Sequence, residues 1–264
     1  MPRHFKSAGN MIRLYWYNNK PNFGDQLSPV LCQMLAGQDV EYSDDFELCD
    51  LVAIGSVLEH LSNSAFRGVV WGSGFISKDS DFDLQSHPSF RAVRGELTAR
   101  RLSLGKEVVL GDPGLLAHLL APNVRQSTEL GIIPHFVDSK NKKISWIAAN
   151  SDNVKLIDIQ AGVDSVIKEV SGCRYIVASC LHGLILADAL GIPNGWVELS
   201  DKVIGDGFKF RDYYSVYGIH DPRPIPLRWW DSARSIKRKI GSCRRPNVAI
   251  LQKKLRDSFP YLNV

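Results

Sequence analysis

Short apolar runs and helical periodicities alternate along most of this chain. Residues 12–17, 51–54, 69–71, 90–93 and 108–110 read as strands, short and mostly apolar with turn formers around them. Residues 25–36 and 95–103 read as helices between them. A polar, proline-bearing stretch at 121–128 then reads as a linker. In a second series, 131–134, 144–148 and 154–157 read as strands, 163–170 as a helix and 175–178 as a buried strand. A short elbow, Ser179-Cys180, leads from that strand into an apolar helix closed by Gly191 and Pro193. Strand–helix alternation of this kind predicts parallel sheets covered by helices. The expected fold is α/β, with two Rossmann-like domains facing a central cleft. The expected division is a mobile tail at 1–10, domains at 11–124 and 129–220, and a basic segment with a C-terminal helix at 221–264 that packs back on the body.

Composition narrows the class. With 264 residues and 44% hydrophobic content the chain can bury a large core, and 23% charged residues argues against wholesale disorder. No apolar run approaches the roughly 18 residues of a membrane-spanning helix. The first ten residues are basic without an apolar core, which predicts a tail and not a signal peptide. Five scattered cysteines, none paired at metal-ligand spacing, predict reduced thiols in a cytoplasmic protein. The net charge is only +4, but 228–245 holds seven basic residues against Asp231, with Trp229 and Trp230 beside them. That segment reads either as a solvated basic face or as a peripheral contact with an anionic membrane. It contains no nucleic-acid-binding module, so no nucleic acid is expected as a partner.

The candidate chemistry sits at the ends of the strands, where ligands of open α/β sheets bind. His182 falls at a strand-to-helix junction, beside free N–H groups that favour an anion. His135 follows Pro134 at another strand end, and Arg94 ends a strand just before a helix. Asn22-Phe-Gly-Asp25 lies between a strand and a helix, where Gly24 permits close approach and Asp25 can cap the helix or orient a hydroxyl. Gly55-Ser56 and Trp71-Gly-Ser-Gly74 follow strands in the same way, while Asp112 in Gly111-Asp-Pro-Gly114 reads as a helix cap. Lys209 and Arg211, in a charged and aromatic stretch from Asp206 to Tyr214, can bind an anion. Histidines and cations at strand ends suit a small polyanionic ligand.

In this order, Asn22-Phe-Gly-Asp25, Gly55-Ser56, Trp71-Gly-Ser-Gly74, Val93-Arg-Gly95, Gly111-Asp-Pro113, Ile133-Pro-His135, Ser179-Cys-Leu-His-Gly183 and Phe208-Lys-Phe-Arg-Asp-Tyr-Tyr214 resemble the polysaccharide pyruvyl transferases. The likeness is to the ketal-forming enzymes of xanthan and succinoglycan type, and Phe259-Pro-Tyr261 echoes it near the end of the chain. The resemblance implies a GT-B-like fold and transfer of the enolpyruvyl unit of phosphoenolpyruvate onto two hydroxyls of a hexose, with release of phosphate. It implies no cofactor and no metal, and a lipid-linked oligosaccharide as acceptor, met in the cytoplasm or at the inner face of the plasma membrane. Within it, His182, Asp25 and His135 are the expected catalytic residues. Arg94, His135, Leu181, His182, Gly183, Lys209 and Arg211 would bind the donor. Asn22, Asp25, Ser56 and Ser73 would bind the acceptor, on the side of the first domain. Cys180 stands where many relatives carry an arginine, so that contact must come from elsewhere or donor affinity is lower. Two other readings stay open on the sequence: a nucleotide-sugar glycosyltransferase of the same fold, and a non-catalytic protein docking on a membrane through its basic segment.

Overall fold

The structure, a computed structural model, describes residues 11–241 and 245–262. The N-terminal tail expected at 1–10, and Cys243 and Arg244 of the basic segment, lie outside the described residues. In the first half the strands are β1 (Met11–Tyr15), β2 (Asp39–Tyr42), β3 (Leu51–Val52), β4 (Val69–Trp71), β5 (Ser89–Val93) and β6 (Val109–Leu110). They pair in parallel in the order β2-β1-β3-β4-β5-β6. Helices α1 (Phe23–Ala36) and α2 (Glu96–Arg101) follow β1 and β5. The strands are short, but Leu14, Leu51, Val52, Val70 and Trp71 are fully buried. Burial on both faces is what a parallel sheet under helices requires.

The second half has β7 (Thr128–Ile133), α3 (Lys142–Ala149), β8 (Val154–Leu156), α4 (Val163–Ser171), β9 (Cys173–Ala178), α5 (Leu181–Ala189) and β10 (Asn194–Trp196). Its sheet is again parallel, ordered β10-β9-β7-β8. Two parallel sheets flanked by helices give the two-part Rossmann-like architecture. One expected strand is wrong: 144–148 lies inside α3. Asn141 caps that helix by accepting the Lys143 N–H at 2.9 Å, and Ile144 and Ile147 bury one face at helical spacing. A short apolar run does not by itself distinguish a strand from a buried helical turn. Strands β2 and β10 were not anticipated. The first is a mostly exposed edge strand, and the second is only Asn-Gly-Trp, so neither shows an apolar pattern.

Helices α6 (Phe208–Ser215), α7 (Ala233–Ile240) and α8 (Val248–Asp257) complete the chain. Two of them bring the C-terminal region back onto the first sheet. The Trp71 indole N–H at the end of β4 donates to the Leu255 carbonyl of α8 at 3.0 Å, and the Phe259 ring lies 4.6 Å from it. Asp212 of α6 accepts from the Arg94 guanidinium at 3.0 Å and from the Thr98 N–H and hydroxyl. Among the described residues no helix is long and apolar enough to cross a membrane.

Candidate active site

The turn between β9 and α5 is built from within. Ser179 donates its hydroxyl to Asp138 at 3.2 Å and accepts the His135 N–H at 2.9 Å, and Ser200 donates to the other Asp138 oxygen. These bonds tie the end of β7 to the start of α5. Cys180 is the N-cap residue and makes no side-chain cap bond. The first N–H groups of α5 are thus not capped by that side chain, at the positive end of a helix buried on nearly all sides. Burial pushes the Cys180 thiol up to about 12, so the thiol rests protonated at neutral pH, the form that is a poor nucleophile.

Against this turn the first half presents the start of α1. Gly24 touches the His182 imidazole so closely that a β-carbon there would fall 1.9 Å from Nδ1. Glycine is required at 24 by contact, not by backbone angle. Beside it, Asn22 donates its side-chain N–H to Asp25 at 2.8 Å. Burial raises the Asp25 carboxyl to about 7, with the Asn22 bond and Lys209 opposing the rise. A cleft of about 310 Å³ opens here. Asn22, Asp25 and Ser56 of the first half line it, with His135, Leu181, His182 and Lys209 of the second.

The electrostatics favour an anion. Among the described residues Lys209 has no carboxylate in ion-pair contact, and the partner seen is the Phe210 ring at 5.8 Å. Burial first, and then the Arg94 charge, lower its ammonium to about 8. The same causes act on the histidines. His135 falls to about 4 through burial and Lys209, and His182 falls to about 3 through burial, Lys209, Arg94 and His135. Both imidazoles are therefore neutral at pH 7. A bound anion would favour their protonated forms and that of Lys209.

A profile of the family described as "Polysaccharide pyruvyl transferase" matches residues 22–201, which includes most of this cleft. The chain belongs to that family. It is also 28% identical over 225 residues to the succinoglycan biosynthesis protein ExoV of Rhizobium meliloti (strain 1021), covering 81% of this chain and 67% of the relative. An uncharacterised protein of Acanthamoeba polyphaga mimivirus is 29% identical over the same length, covering 79% of this chain and 75% of the relative.

Not every residue expected to serve a pyruvyl transferase site reaches the cleft. Arg94 is fully buried, and its guanidinium is engaged by Asp212, by the Phe75 carbonyl and by the Ser56 hydroxyl at 2.6 Å. It is not a lining residue and touches the cleft through Ser56. Ser73 is buried and donates to the Gly55 carbonyl at 2.8 Å. Gly183 lies behind the turn, packed on Cys180 and Ala178, and the Arg211 guanidinium donates to the Asp206 carbonyl at 2.6 Å. Each faces away because a nearer protein partner satisfies it or its space is already filled. Conversely, the cleft includes Tyr17, Lys20, His60 and Phe136, which no motif singled out. His60 is joined to the Tyr15 hydroxyl at 2.5 Å, and Lys20 lies 5.5 Å above the Phe136 ring. Asp112 is fully buried with its carboxylate toward His182, besides capping its own helix.

Proposed function

We propose that the chain is a phosphoenolpyruvate-dependent ketal pyruvyl transferase acting on a hexose of an exopolysaccharide repeat unit. The observation that carries this reading is the convergence of an ammonium with no carboxylate partner among the described residues, two neutral imidazoles and the start of α5 in one cleft. Such a site suits a ligand bearing both phosphate and carboxylate. Lys209 and His135, with the N–H groups of Leu181 and His182, hold the donor, and Lys209 supplies the positive charge that Cys180 does not.

The reaction balances on these groups. His182 gives a proton to the methylene carbon of the donor while an acceptor hydroxyl adds to the neighbouring carbon. Asp25, titrating near neutrality, takes the hydroxyl proton. The bond from that carbon to the phosphate oxygen then breaks, and phosphate leaves with the electron pair. The second hydroxyl closes the ketal on the oxocarbenium carbon, and its proton leaves on the released phosphate. The second half, 129–220, would carry the donor and the first, 11–124, the acceptor, in the manner of a GT-B enzyme. Asn22 orients Asp25, and Ser56, held by Arg94, faces the acceptor. The acceptor is lipid-linked and met at the cytoplasmic face of the membrane. Trp229 and Trp230 support that placement, being 50% and 72% exposed with Arg228 over the Trp230 ring.

Phosphate release from phosphoenolpyruvate, measured with mannosyl, glucosyl and galactosyl acceptors in turn, tests the reading. Acceptor-dependent release is expected, with the sugar gaining the mass of one pyruvic acid less one water. His182→Ala should lower turnover by on the order of a hundredfold or more. Binding of a nucleotide sugar without any binding of phosphoenolpyruvate would sink the proposal.

A further inference from the structure

We propose that Asp112 is a positioning residue for His182. Its carboxylate holds the Nε2–H of the imidazole, so that Nδ1 is the nitrogen that exchanges a proton with the substrate. Asp112 Oδ2 and His182 Nε2 face one another at 4.0 Å. Both atoms are buried, and neither has a hydrogen-bond partner. Two unsatisfied buried groups of complementary kind relieve the same desolvation penalty if a proton lies between them. The 4.0 Å gap exceeds a hydrogen bond, so the bond forms only if the imidazole turns toward Asp112.

The carboxylate itself cannot swing freely. Its other oxygen accepts the Gly114 N–H at 2.8 Å. The next residue, Pro113, is seated against Gly72, whose φ is +92° and where a β-carbon would lie 2.0 Å from the proline ring. Asp112 follows β6 in the first half and His182 opens α5 in the second, so the pair spans both halves. On its opposite edge the imidazole places Nδ1 over Gly24, between Asn22 and Asp25 of the cleft in sequence. Nε2 is thus turned to the interior, while the side chain keeps 13% exposure and lines the cleft, which leaves Nδ1 as the nitrogen open to a substrate.

The charged and titratable groups that act on the pair are Lys209, Arg94 and His135 on His182, and Arg94, Asp212 and Asp25 around Asp112. Burial raises Asp112 to about 6 and lowers His182 to about 3, so at pH 7.5 the carboxylate is ionised and can accept from a neutral imidazole. An incoming donor dianion favours the imidazolium, and the Asp112 carboxylate then stabilises it. The proton lost from Nδ1 to the methylene carbon leaves the Nε2–H tautomer, held by Asp112 as before.

This inference rests on the pyruvyl-transfer reading for the identity of the substrate but not for its first readout. That readout is the ¹⁵N spectrum of histidine-labelled protein at pH 7.5 without ligand, with His182 assigned by difference from His182→Asn. The Nε2–H tautomer is expected. In Asp112→Asn the amide oxygen still accepts from Gly114, while its N–H turns to Nε2 and forces the Nδ1–H tautomer. That variant should lower kcat with phosphoenolpyruvate by on the order of a hundredfold, with KM changed less than about threefold. Asp112→Glu should restore part of the loss. An Nδ1–H tautomer in the unmodified protein overturns the proposal, even if the variant fails to fold. So does an Asp112→Asn protein with tautomer and kcat unchanged. A protein inactive on phosphoenolpyruvate that still shows the tautomer switch would fault the donor assignment and leave the Asp112 role standing.

Discussion

Lys209 shows what the site asks of a single residue. Its folded pKa of about 8 lies below the ordinary 10.5, so the folded state disfavours the ammonium. The associated stability is present above pH 10.5 and is lost as pH falls through 8, which leaves the full penalty at pH 7. Lys209→Met should therefore raise Tm at pH 7, by an amount that shrinks toward pH 10. The same change should raise KM for phosphoenolpyruvate by about tenfold or more, an effect of about 1.4 kcal/mol. Unfolding curves at pH 7 and 10, together with donor kinetics, check both directions. A loss of stability at pH 7 would mean that Lys209 has a counterion in the free protein. Stability given up for an anion site is a common compromise at functional positions.

At the scale of elements, α7 revises the basic segment. Ser232 and Ser235 form a capping box, and Ala233, Ile236 and Ile240 turn inward. Lys237 is then committed to Glu129 at 2.8 Å and Lys239 to Asp231 at 2.6 Å. Arg234 and Arg238 remain on the exposed side, with Trp229 and Trp230 just before the helix. If this face meets anionic lipid, Arg238→Gln should weaken binding to phosphatidylserine-containing vesicles by about fivefold, the effect of about 1 kcal/mol per basic residue. Lys237→Gln should do less because its charge is already paired. Trp230→Ala should weaken binding through loss of the interfacial ring. Equal sedimentation of all three variants with the parent protein would exclude this face as the contact.

For the molecule as a whole, the Arg94–Asp212 pair is the clearest clamp between the first sheet and the C-terminal helices. Both side chains are essentially without solvent exposure. A buried ion pair adds little stability over an apolar pair, yet removing one partner strands the other charge. Arg94→Met should thus cost about 3–5 kcal/mol in urea unfolding. Adding Asp212→Leu should recover a substantial part of that loss. Activity should remain low in the double variant, because Ser56 has lost the guanidinium that holds it. Full activity in a stable double variant would show that Ser56 does not need this support.

Periodicity and turn residues were enough to read most strands, α1, α4 and α5, since these depend on local spacing and on burial of continuous apolar runs. They were also enough to bring forward His182, His135 and Asp25, because chemistry-bearing residues at strand ends have few structural uses in common, and Lys209 came forward from its charged and aromatic stretch. The run at 144–148 misled because five residues carry too little period to separate a strand from a helix. Other distinctions were settled only by tertiary contacts. Arg94 reads as an anion ligand until Asp212, 118 residues away, is seen to occupy it. Asp112 reads as a cap, and it is one, but its second oxygen meets a histidine from the other half of the chain. Which arginine is occupied, which carboxylate faces the imidazole and which lysine has no carboxylate partner among the described residues depend on how the halves meet. No local pattern encodes that meeting, because the partners are distant in sequence and are joined only by packing.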